Sequence, residues 1–406
     1  MSIRSRRLNG PAARGTALAV AALIGAGSLA ACSSDDASSS SSPEKAGTGE
    51  LNVVATTTQI CDYVKQIDAP DTNLTCLLAP NASAHEHEMT KEQMKALSEA
   101  DLMLVNGVDL EHFLDQAVDS SGFKGTMVVT TGILSATDLD GKPVSDADLP
   151  YTIDRGIKKI DVQPWPFPPE EGETQAEFAY DPHVWTSPEN AKIQVENIGH
   201  AFEEARPDQA DVYKKHVEAY THKLDELNTW VKEQINTIPE PNRVLFTSHD
   251  AFGYFSKTYG INFIGAALSD FNEQQDATAE HIAEEAQKVK DSGAVALFAE
   301  NSNNPKSIEA IAKAAGVKAV IGDDALYGDS LGPAGSEGET YIGSIVHNVT
   351  NPNKVNVFSG NLDGEISLAY AKSQVGLLFS ANHAGGDFLD LGGAVVRVNN
   401  GLTDLK

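Results

Sequence analysis

Of the eleven histidines in the chain, three stand in company that suits a metal ion. His85 lies in Asn81-Ala-Ser-Ala-His-Glu-His-Glu, His183 in Asp181-Pro-His-Val-Trp, and His249 in Thr247-Ser-His-Asp. Each falls in a strand-to-helix turn or a loop beside one, and in open parallel sheets such turns, at the carboxyl ends of the strands, are where ligands bind. Imidazole is the commonest neutral zinc ligand, and a site needs a fourth donor, usually an anionic one. Asp329, in Leu326-Tyr-Gly-Asp-Ser-Leu-Gly after a strand ending at Ile321, occupies an equivalent turn. The chemistry would be capture of a divalent cation by three imidazoles and one carboxylate. Because the four are scattered along the chain, spacing alone leaves solvated loop histidines as an equal reading. His200, His216, His222 and His281 lie in helical, charged surroundings where exposure is the default, and His112, His347 and His383 carry little more.

The pair His85-Glu86 invites comparison with a zinc hydrolase. The helical H-E-x-x-H motif would need histidine at position 89, where Met89 stands. A catalytic zinc also keeps a position open for water, whereas three histidines and Asp329 close a tetrahedral shell. Binding without catalysis is the expectation.

The elements that must position these residues read as α/β. From Leu51, short β-rich runs (Val53-Val54, Leu74 to Leu78, Leu102 to Val105, Met127 to Thr131) alternate with helical stretches such as Met89 to Glu99. A second series starts at Val244 and continues through Phe263-Ile264, Ala296 to Phe298 and Val317 to Ile321. The expected architecture is two α/β lobes, 51–207 and 239–350, facing each other by their strand ends with the metal site between them. Residues 208–238 contain neither Gly nor Pro, and Tyr213, Val217, Tyr220, Leu224, Leu227 and Val231 recur at alternating spacings of four and three. That spacing predicts one long, stiff linking helix, about 45 Å at 1.5 Å per residue, and hence limited hinge motion. Ser135 to Ala179 is acidic, proline-rich and poorly periodic, and reads mostly as a surface loop. The tail 351–406 has strand-like runs and a helix candidate but no functional reading.

Residues 1–31 hold Arg4, Arg6, Arg7 and Arg14, no acid, and an Ala/Gly-rich apolar run too short to span a membrane stably. This reads as a signal peptide. It ends in Leu29-Ala-Ala-Cys32, similar to a bacterial lipobox, where cleavage leaves a lipidated Cys32; the Ser-rich stretch 32–50 then serves as a flexible tether. Cys61 and Cys76 remain as an even pair in an oxidising compartment, and a helix cysteine over a neighbouring strand makes a structural disulfide the expectation. With 30 Lys+Arg against 58 Asp+Glu, the formal charge of −28 excludes nucleic acid as a partner by repulsion.

Ala55-Thr-Thr-Thr, Ala84-His-Glu-His-Glu, Leu97-Ser-Glu-Ala-Asp-Leu with Asn106-Gly107, Asp181-Pro-His-Val-Trp, Ser248-His-Asp-Ala-Phe-Gly-Tyr-Phe, and Asp329-Ser-Leu-Gly-Pro with Tyr341-Ile-Gly occur in that order. Together they resemble the zinc/manganese solute-binding lipoproteins of bacterial ABC importers over about residues 50–350. The resemblance implies a metal between two lobes joined by a rigid helix, with His85, His183, His249 and Asp329 as direct ligands. It further implies a monomeric, lipid-anchored extracytoplasmic protein that delivers zinc, or alternatively manganese, to an ABC permease. A surface adhesin is the remaining alternative. Two departures stand out. His87 replaces a usual aromatic residue and stands as an alternative ligand or, as the favoured expectation, a support to a ligand from behind, and segment 135–179 lacks the histidines that many zinc-specific relatives carry there.

Overall fold

The computed structural model describes residues 50–85, 87–165, 178–267 and 278–354. Strand β1 (Leu51–Ala55) leads through helix α1 (Thr58–Gln66) to β2 (Thr72–Cys76), then α2 (Lys91–Ser98), β3 (Leu102–Val105), α3 (Leu114–Ser121), β4 (Thr126–Val129), α4 (Ala136–Leu139) and β5 (Thr152–Asp154). These strands form one parallel sheet in the order β2-β1-β3-β4-β5. The order reverses between β1 and β3, which creates a crevice at their carboxyl ends. Both faces of the central strand β3 are covered, so Leu102–Val105 is apolar and buried throughout rather than alternating, while the edge strands β2 and β5 are partly polar. Val53, Leu104 and Val128 pack on one side, and Val54, Met103 and Val129 on the other. Helix starts are capped: the Thr57 hydroxyl accepts the Ile60 N–H, and Thr90 forms a reciprocal capping box with Gln93.

Most described residues of Ser135 to Ala179 are in neither helix nor strand, in line with the loop reading, but the segment is not loop throughout. It supplies α4 and the edge strand β5, in which Thr152 to Asp154 pair with Thr126 to Val128. The run Tyr151-Thr-Ile-Asp is β-favouring but too short to stand out beside acids and prolines. Arg155, just past the strand, grips Asp138 of α4 at 2.9 and 3.2 Å and ties β5 to that helix.

Helix α5 (Pro188–Ala205) packs antiparallel on α6 (Ala210–Asn236), the long linking helix. At 27 residues α6 is about 40 Å long. Tyr213, Tyr220, Leu224, Leu227 and Val231 of the periodic stripe are buried, Val217 is half-buried, and Trp230 adds to the same face. The C-terminal lobe follows: β6 (Val244–Thr247), α7 (Gly253–Tyr259), β7 (Asn262–Ala266), α8 (Ala279–Ser292), β8 (Ala296–Phe298), α9 (Lys306–Ala315), β9 (Lys318–Val320) and α10 (Tyr341–Lys354). Its strands form two parallel pairs, β6–β7 and β8–β9, with β6 against β8. One apolar core runs continuously from β1 and α1 through α5 and α6 to Leu245, Phe298 and Tyr341. Two lobes sharing one core favour small adjustments over wide opening.

Among the described residues, no helix is long and apolar enough to cross a membrane. Cys32, the leader, the tether and the strand and helix readings of the tail lie outside the described residues.

Candidate metal centre

His85 lies in the loop after β2, His249 and Asp329 lie in turns beyond β6 and β9, and His183 lies in the loop just ahead of α5. The His85 loop runs from β2, which the Cys61–Cys76 disulfide ties to α1 across a Cα separation of 5.7 Å. Asn81, at φ 63°, donates its N–H to Leu331 O at 3.1 Å, and its Oδ1 accepts from Asn301 Nδ2 at 2.8 Å, so the far lobe pins this loop. His183 precedes a 3-10 turn, Val184–Thr186, at the head of α5. Asp181 Oδ1 accepts the His183 backbone N–H at 2.9 Å and lies 2.7 Å from its Nδ1. His249 sits in the turn after β6. The Asp329 turn is gripped from the N-terminal lobe: the Gly328 carbonyl accepts Trp185 Nε1–H at 3.0 Å and Gln59 Nε2–H at 3.3 Å, and Leu331 N–H reaches Thr58 Oγ1 at 2.9 Å.

These turns bring the four side chains together, each no more than 3% exposed. One ligand atom from each lies within 4.8 Å of the others. His85 Nε2 stands 3.0 Å from both His183 Nε2 and Asp329 Oδ2, while Asp329 Oδ1 is 3.2 Å from His249 Nε2 and 3.5 Å from His183 Nε2. Donors at 2.0–2.2 Å from a tetrahedral cation are about 3.3–3.6 Å apart, and these separations of 3.0 to 3.5 Å lie close to the edges of such a shell. The rings of Phe178, Trp165 and Trp185 wall the cluster at 5.4 to 6.2 Å.

Burial pushes the His85 imidazole down to about 3, against the pull of the Asp329 carboxylate. Burial also acts to lower His249, but the negative charges of Asp329 and Glu300 outweigh it and hold that imidazole well above its ordinary range. Asp329 is the converse: burial raises it, and the His249 and His85 rings together hold it well below. Asp250, beside His249, is pushed well up by burial. The pocket thus gathers imidazole nitrogen and carboxylate oxygen away from solvent, with Asp329 and Glu300 drawing positive charge to His249 while burial keeps His85 neutral.

His87 meets Gln93 Oε1 at 3.1 Å and packs edge-on against Phe113, at the head of α2 rather than among the four. His112 stacks on Phe178 and lines a cavity of about 500 Å³ in the N-terminal lobe, to which none of the four contributes. Sequence reasoning missed Asp181 and Glu300, the carboxylates behind His183 and His249. Glu300 follows a parallel strand just as His249 does, and that was the available signal. His347 is buried, with Glu337 Oε2 2.8 Å from Nδ1 and Ala325 O 3.0 Å from Nε2.

Residues 53–354 match the family model described as the periplasmic zinc-uptake complex component A. The chain belongs to this zinc-uptake component A family. Within the wider set of similar proteins, it is 28% identical over 340 residues to the manganese-binding lipoprotein MntA of Bacillus subtilis, covering 83% of this chain and 98% of that one. It is 29% identical over 333 residues to the manganese ABC transporter substrate-binding lipoprotein PsaA of Streptococcus pneumoniae, covering 82% and 94%. The fold is similar to that of the periplasmic zinc-binding protein TroA from Treponema pallidum, with a TM-score of 0.59 and 26% identity over 75% of this chain and 98% of that one. Membership of the zinc-uptake component A family agrees with the two-lobed α/β architecture and its long linking helix.

Proposed function

We propose that this protein is an extracytoplasmic, lipid-anchored binding protein that captures one divalent cation, zinc by preference, and hands it to the permease of an ABC importer. The observation that carries this reading is the convergence of His85, His183, His249 and Asp329, one ligand atom from each within 4.8 Å of the others, in a buried cleft between the lobes. Coordinating through nitrogen, three imidazoles and one carboxylate suit zinc, whereas manganese is harder, stands lower in the Irving–Williams order and gains most from oxygen donors. With four protein donors the shell has no place for a reactive water, which favours cargo over catalysis. The names of MntA and PsaA support a second reading, in which manganese is the cargo.

Competition titration at neutral pH separates the two. Zinc should be preferred at equal free metal, and His249→Glu should narrow that preference by exchanging nitrogen for charged oxygen. Wild-type protein preferring manganese would reverse the assignment. His183→Ala and His249→Ala should each cut zinc affinity by orders of magnitude and abolish the thermal upshift that bound metal produces by mass action. Wild-type stoichiometry and thermal shift in both variants would remove these residues from the site.

A further inference from the structure

Resting on that reading, we propose that Glu300 is a positioning residue that fixes which nitrogen of His249 faces the cation and ties the two C-terminal-lobe donors into one unit. Glu300 is 2% exposed and lies just beyond β8. Its Oε1 accepts the backbone N–H of His249 at 3.0 Å, and its Oε2 lies 2.8 Å from His249 Nδ1, off the axis of an ideal N–H···O bond. Its own N–H donates to Ser248 Oγ at 3.1 Å. On the other side Glu300 abuts the turn that carries Asp329. Asn301 N–H donates to Leu326 O and Leu326 N–H to Ala299 O, each at 2.8 Å, and a Cβ on Gly328 would collide with Glu300 Oε2. The glycine before Asp329 therefore makes room for this carboxylate.

The chemistry follows from the donor inventory. A neutral imidazole carries one N–H and one lone pair, and an ionised carboxylate only accepts. When the cation displaces the proton from Nε2, which is directed at Asp329, Glu300 holds the remaining ring proton on Nδ1, so Nε2 is the nitrogen that coordinates. Asp181 repeats the pattern at His183, taking both the backbone N–H and Nδ1 on one oxygen. A carboxamide of nearly the same shape has the opposite effect. With its single oxygen held by the His249 backbone N–H, its NH2 donates to Nδ1, drives the ring proton to Nε2 and blocks coordination there.

The test is zinc affinity, by chelator competition, in full-length wild type, Glu300→Gln, Glu300→Asp, His249→Ala and the Glu300→Gln/His249→Ala double variant. Glu300→Gln should weaken zinc binding by about 10- to 100-fold, the usual effect of removing a ligand's supporting partner. Glu300→Asp, which keeps the charge, should retain more affinity than Glu300→Gln. In the His249→Ala background Glu300→Gln should change affinity by less than about 3-fold, because the residue acts through that ring. Wild-type affinity in Glu300→Gln, or an equal loss in both backgrounds, overturns the proposal while leaving the metal site standing. A wild type that binds no zinc overturns both. Should Glu300→Gln fail to fold, long-range proton–nitrogen spectra of the zinc-loaded wild type decide: zinc on Nε2 with the proton on Nδ1 supports the assignment, and zinc on Nδ1 refutes it.

Discussion

Asp62 is the carboxylate through which α1 of the N-terminal lobe meets α10 of the C-terminal lobe. Its Oδ2 accepts the Tyr341 N–H at 2.8 Å and its Oδ1 accepts Gln66 Nε2–H at 3.1 Å. Burial pushes its pKa from 3.8 up to about 6, against those two hydrogen bonds and the nearby Lys65 charge, with Glu339 adding a small further rise. The sign follows: folding takes up a proton, so this group's contribution is fully present below about pH 4 and is lost as pH rises through about 6. A rise from 3.8 to about 6 corresponds to about 3 kcal/mol, the cost of holding the buried charge at neutral pH. Asp62→Asn removes that cost. The Asn oxygen still accepts the Tyr341 N–H, and Gln66 can turn its amide to accept the new N–H2, so about 1 kcal/mol is lost to imperfect geometry in the neutral bonds, the charge-assisted strength being already inside the net shift. The metal-free variant should therefore be about 2 kcal/mol more stable than wild type at pH 7.5 and no more stable at pH 4. Urea unfolding of both proteins across that range is the assay. A stability difference that stays constant with pH would refute the reasoning, because it would mean that Asp62 titrates alike in the folded and unfolded chains.

Two further outcomes are expected. Replacing Cys61 and Cys76 together by serine opens a link of sequence separation 15 and should cost about 3 kcal/mol, read as a lower urea midpoint, while one cation per chain is still bound; unchanged stability would show that the crosslink restrains little in the unfolded chain. Cys32→Ala should send the protein to the culture supernatant or leave it as unprocessed precursor, and membrane retention with normal processing would dismiss the lipid anchor.

Residues 102–105 and 244–246 were legible as strands because a short apolar run bounded by turn residues is the local imprint of a strand buried on both faces. The stripe on α6 was legible for the same reason, since Tyr213 to Val231 repeat at the period that one buried helix face imposes. The four candidate ligands could be named from their turns, and the ordered motifs around them resembled one family. Strand β5 escaped because three residues carry almost no periodicity and its pairing with β4 comes from sheet geometry. His347 escaped because its partners, Glu337 and Ala325, are brought to it only by the turns before α10. Asp181 and Glu300 look like ordinary acids in a chain with 58 of them. The sequence by itself determined the periodic elements, their αβ alternation and the residue types able to hold a cation, because each leaves a signal within a few neighbours. Only the tertiary structure decided that Nε2 of His249 meets Asp329 at 3.2 Å with Glu300 behind it. That distance depends on how two lobes pack on one helix, a sum of many long-range contacts that no local pattern encodes.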